Sequence, residues 1–98
     1  MIKYTKTTLK KIELLFKDID YKIRYEKGHF QSGYCVVENQ NIAVINKFFD
    51  TEARINCLLE IFKGLEINQE ISEECLGIYN IIQKEFSEQL NLEFENKT

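Results

Sequence analysis

Four consecutive apolar residues, Ile42-Ala43-Val44-Ile45, give way after a short polar-and-aromatic turn to a helical repeat, Ile55, Leu58, Leu59, Phe62 and Leu65. A run with no polar interruption belongs to a strand covered by other elements. Apolar positions three and four apart belong to the buried stripe of an amphipathic helix. Between them, Asp50 or Thr51 supplies the side-chain oxygen that caps a helix start, and Glu52 sits where a helix dipole favours negative charge. The segment from Asn41 to Lys63 is therefore a hinge between a sheet and a helix, and the chain around it must be layered.

The remaining periodicities fill in the layers. Leu9, Ile12, Leu15, Phe16 and Ile19 mark an amphipathic helix from about Thr7 to Ile19, with Lys10, Lys11, Glu13, Lys17 and Asp18 on its other side. Tyr21, Ile23 and Tyr25 alternate with Lys22, Arg24 and Glu26, which is a strand with one wet face. Tyr34 to Glu38 reads as a second strand, and Asn39-Gln40-Asn41 as a tight reversal, because asparagine tolerates left-handed backbone. Ile71, Cys75, Ile78, Tyr79, Ile82, Phe86 and Leu90 define a long helix through about residue 90, capped by Asn68 or Ser72. Gly77 inside it costs about 1 kcal/mol against alanine, a cost a helix accepts where another backbone packs close. The expected fold is α+β: an N-terminal helix, a three-stranded antiparallel β-meander, and two C-terminal helices packed on the sheet. Residues 1–90 form its single domain. Residues 91–98 form a tail, flexible or a short strand, since Leu90, Leu92 and Phe94 alternate with polar neighbours.

Composition narrows the function. Ninety-eight residues, 44% apolar and 30% charged, suit one globular core and are too apolar for disorder. The N-terminus lacks a signal-peptide core and no uncharged run spans a bilayer, so a cytoplasmic protein without a membrane partner is expected. Cys35, Cys57 and Cys75 are odd in number and far apart, which fits buried thiols better than a disulfide framework or a zinc knuckle. Residues 1–49 carry nine basic and five acidic side chains, residues 50–98 four and eleven, a split of +4 against −7. Attraction within the fold or between copies explains that split; the lysines Lys6, Lys10, Lys11 and Lys17 are too sparse for a nucleic-acid footprint.

The best local candidate for a site is the loop between Gly28 and Gly33. It gathers His29, Gln31 and Ser32 near Arg24 and Lys27, a set able to hydrogen-bond an anion or a peptide carboxylate. No nucleophile or carboxylate is placed beside His29 by sequence, and glycine-rich phosphate loops are absent.

From Asn41 onward, with Arg54, Glu60 and the apolar patterning, the chain resembles the ImmA/IrrE-like zinc peptidases. In that family an apolar strand leads through a turn to an arginine and then a metal-binding HExxH helix. Arg54 takes the arginine's place and Glu60 the catalytic glutamate's, while the two histidine positions hold Leu59 and Lys63, so the resemblance implies a peptidase relic without zinc ligands. Across its length the chain also resembles a group of small bacterial proteins carrying the runs Lys22 to Gly28, Gln31 to Cys35, Val44 to Asp50 and Glu52 to Asn56. That resemblance implies a cytoplasmic bacterial protein and brings no activity with it.

With no complete catalytic set, no cofactor motif and no metal site, the sequence points to a non-enzymatic interaction module with a protein partner or a second copy as its target. The surfaces offered are a sheet edge, the Gly28 to Gly33 loop and the tail. The alternative is an anion- or peptide-binding or catalytic protein using that loop.

Overall fold

The computed structural model describes residues 2–28 and 33–95, with side chains through residue 88. Helix α1 (Lys6–Asp18) begins at Thr5, whose hydroxyl accepts from the Thr8 amide at 3.2 Å. Strands β1 (Lys22–Glu26), β2 (Tyr34–Val37) and β3 (Ile42–Asn46) follow, with a 3-10 turn at Glu38–Gln40 before β3. Helix α2 (Thr51–Lys63) starts at Asp50, whose carboxylate accepts from the Ala53 amide at 2.9 Å, and α3 (Glu73–Glu95) completes the chain. Residues 91–95 thus continue α3, and residues 96–98 lie outside the described residues.

The class is α+β, but the sheet is not a meander. Its order is β1-β3-β2, with β3 parallel to β1 and antiparallel to β2. The meander expectation put β2 in the centre, and the physical reason for the difference is composition. Ala43, Val44 and Ile45 are all buried, whereas no residue of β2 is; β3 is wholly aliphatic from Ile42 to Ile45 while β2 carries Tyr34 and Cys35, and the more aliphatic strand takes the position flanked on both sides. The connection from residue 27 to residue 33 is long enough to skip one strand, a step of roughly 10 Å. The reversal into β3 is made by Asn41, in the left-handed region at φ 53.

One face of the sheet carries Ile23, Tyr25, Ala43, Ile45, Tyr34 and Val36 into the core. The helices in contact with the sheet are α1 and α2, while α3 packs chiefly on α1, a second departure from the expected arrangement. Phe16, Phe62 and Tyr79 join α1, α2 and α3 through ring contacts at 5.9 and 6.1 Å. The segment between α2 and α3 is tied to the end of α1: Gln69 Nε2 donates to the Ile19 carbonyl at 3.1 Å, and the Ser72 amide donates to Asp18 Oδ2 at 2.7 Å. No helix among the described residues is long and apolar enough to cross a membrane.

Gly77 does not mark a close approach. A Cβ built there meets nothing within 4 Å and the residue is exposed, so the helix carries a glycine with no packing reason. Gly77→Ala is expected to raise unfolding free energy by about 0.5–1 kcal/mol, read as a higher urea midpoint at unchanged slope.

Candidate functional site

Helix α1 and strand β1 are joined by a turn that leaves almost no slack. The Tyr21 amide donates to the Phe16 carbonyl at 2.9 Å and the Asp20 amide to the Lys17 carbonyl at 3.1 Å, with Asp20 in the left-handed region at φ 61. This pair of bonds is the Schellman ending of a helix. Its usual apolar contact is present too, as an edge-on packing of Tyr21 against Phe16 at 6.1 Å. The turn sends β1 back along the flank of α1.

Among the described residues, strand β1 has a partner on one side only. In a parallel ladder every second residue directs both its amide and its carbonyl at the neighbour. The Lys22 amide donates to the Asn41 carbonyl at 2.9 Å, and the Lys47 amide to the Glu26 carbonyl at 3.1 Å. Lys22, Arg24 and Glu26 therefore face β3, and the backbone groups of Ile23 and Tyr25 point outward, away from the sheet. Along this edge runs a groove of about 600 Å³, with Glu13 and Lys17 of α1 on one wall and Lys22, Ile23 and Arg24 on the other. Its surface is mainly apolar. The other edge strand, β2, is four residues long and runs straight into the 3-10 turn, which blunts it.

The floor beneath β1 is held by three side chains from three elements. Tyr25 donates its hydroxyl to Glu13 on α1. Arg54 of α2 lies 4.3 Å from the centre of the Tyr25 ring, and its guanidinium donates to the carbonyls of Phe49, at 2.9 Å, and Lys47, at 2.8 Å. Burial, the hydrogen bond to Glu13 and that carboxylate's charge together push the Tyr25 hydroxyl well above its ordinary titration range, with Arg54 acting the other way. Nearby, Gly33 at φ +84 touches the Phe49 ring so closely that a Cβ would fall 2.3 Å from it.

The residues singled out from sequence are distributed differently. Arg24 lies on the outer face of the sheet, 3.9 Å from Glu26 and with both side chains more than half exposed, and it lines the β1 groove. Lys27 is exposed beyond the end of the strand. His29, Gln31 and Ser32 lie outside the described residues. Cys57 and Cys75 are buried, and burial pushes the Cys57 thiol up. Cys35 is exposed: it faces Val44 across the ladder on the side of the sheet opposite the core-facing residues. At the positions matched to zinc ligands, Leu59 is half-buried and Lys63 exposed, beside Glu60, Asn56 and Glu85 in a recess of about 290 Å³. Among the described residues no group of three His, Cys, Asp or Glu side chains is placed to hold a metal.

The features that sequence reading missed are backbone groups. The outward amides of Ile23 and Tyr25 depend on which side of β1 its partner lies, and no residue pattern within Lys22–Glu26 records that. Comparison with models of protein families, with curated proteins and with solved structures found no match for this chain.

The hydroxyl of Tyr25 makes stability depend on alkaline pH. Its folded-state value is raised, so its contribution is fully present below the unfolded tyrosine value of about 10 and is lost as pH climbs through the folded one. Denaturant unfolding between pH 8 and 11.5 is expected to show a steeper alkaline loss in the wild type than in Tyr25→Phe. Equal slopes would show that the hydroxyl is not protected.

Proposed function

We propose that the protein is a non-enzymatic interaction module that receives an extended polypeptide segment as a fourth strand against β1. The observation that carries this reading is the pair of outward-facing backbone groups at Ile23 and Tyr25, set over a mainly apolar groove walled by α1. An added strand gains main-chain hydrogen bonds from the edge and seats alternate side chains in the groove, which is how strand addition obtains affinity and specificity. The Schellman turn and the Tyr25–Glu13 bond hold α1 and β1 in fixed relation, so the receiving edge is preorganised and binding loses little free energy to ordering it.

Strand addition has a signature that no side-chain pocket shares. Peptides selected on the protein from a random library are expected to shift the amide resonances of Ile23 and Tyr25. Methylating the peptide's own backbone nitrogens should weaken binding by about tenfold or more at every second position only, since alternate amides face away from the edge. Binders that map elsewhere, show no two-residue pattern, or cannot be obtained at all would remove the proposal.

A further inference from the structure

The chemistry of the β1 edge is self-complementary. The outward groups sit at Ile23 and Tyr25, two residues apart, with Arg24 between them. A second copy of the same strand laid antiparallel, with the two-fold axis at Arg24, sets Ile23 against Tyr25 of the other copy at both ends. Both outward amides and both outward carbonyls of each strand are then paired, which makes four hydrogen bonds across the axis. Such an interface is isologous and closes on itself.

The side chains follow the same register. On the outer face the sequence Lys22, Arg24, Glu26 runs opposite its own reverse, so Lys22 of each copy stands across from Glu26 of the other. Opposite charges directly across a ladder stabilise it and like charges weaken it. The two Arg24 side chains meet at the axis, which taken alone is repulsive. Each, however, has its own Glu26 at 3.9 Å, and the other copy places Glu26 on one diagonal and Lys22 on the other, so the charge match of this register rests on the two Lys22–Glu26 pairs. On the inner face Ile23 lies beside the other Tyr25, apolar against aromatic. Moving the axis by one residue loses this match: centred on Ile23, Lys22 opposes Arg24 at both ends.

Resting on the strand-addition reading above, we infer that the occupant of the β1 edge is a second copy of this chain, paired antiparallel about Arg24 to make a continuous six-stranded sheet.

Lys22 and Glu26 are exposed strand residues, so reversing their charge leaves the core alone. Sedimentation velocity from micromolar to about half-millimolar protein is expected to show a reversible dimer. Lys22→Glu alone and Glu26→Lys alone should each raise the dissociation constant by about tenfold or more, because each sets like charges together at both ends. The double variant Lys22→Glu with Glu26→Lys should restore the dimer to within about threefold of wild type. A wild type that stays monomeric over this range would overturn the inference, and so would a double variant as weak as the singles, or singles that dimerise like the wild type. A monomeric wild type that still binds library peptides at Ile23 and Tyr25 would sink self-pairing and leave the strand-addition reading standing. Loss of both would sink the two together.

Discussion

The parallel pairing of β1 with β3 is the constraint from which the rest of the architecture follows. With β3 between the first two strands, β1 pairs in parallel on one side, and its other side is unpaired among the described residues. Because β1 leaves α1 through a tight Schellman turn, that open edge lies directly alongside a helix. The groove follows from these two facts, and so does the direction of its hydrogen-bonding groups. In a meander β1 would also be an edge, paired antiparallel with β2, and the other edge would be β3 instead of β2.

A small polar relay under the sheet adds to the apolar core that joins these elements. Arg54 comes from the helix after β3, Tyr25 from β1 and Glu13 from α1, and together they tie the three elements at one point. Hydrogen bonds from a charged donor contribute about 1.5–3 kcal/mol each. A guanidinium over an aromatic ring adds about 0.5–2 kcal/mol. The hydrogen bonds to the turn carbonyls of Lys47 and Phe49 are thus the larger part, and the stacking on Tyr25 gives them direction. Arg54 is the residue that the peptidase resemblance singles out, and it has a complete structural job in the turn between β3 and α2. Leu59 and Lys63 differ from it: one is packed against the core from its margin and the other is exposed.

The helices were legible because each has a clear apolar stripe, although α1 begins at Lys6, capped by Thr5, rather than at Thr7. Asp50 caps α2 as its position implies, and Leu9, Ile12, Leu15 and Phe16 are all buried in α1. The strands were legible as strands, since Lys22–Glu26 alternates and Ile42–Ile45 does not. Their order was not, because pairing direction depends on where a seven-residue connection goes, and no local propensity records that. The tail shows a related ambiguity: Leu90, Leu92 and Phe94 fit a period of two over a few residues, yet the backbone there continues α3, and a short apolar pattern cannot outweigh a helix already propagating into it. The candidate loop was a reading of side chains, whereas the edge works through main-chain groups, to which composition is blind.

The claim at the centre of this account is that Ile23 and Tyr25 present unpaired amides while Arg24, between them, is paired to β3. Amide hydrogen exchange measured by NMR on dilute protein reads this residue by residue. The account predicts a slow Arg24 amide flanked by fast Ile23 and Tyr25 amides, with the two flanking amides slowing as protein concentration rises. Ile23 and Tyr25 amides as protected as Arg24 at high dilution would show that β1 is not an open edge, and would contradict the account.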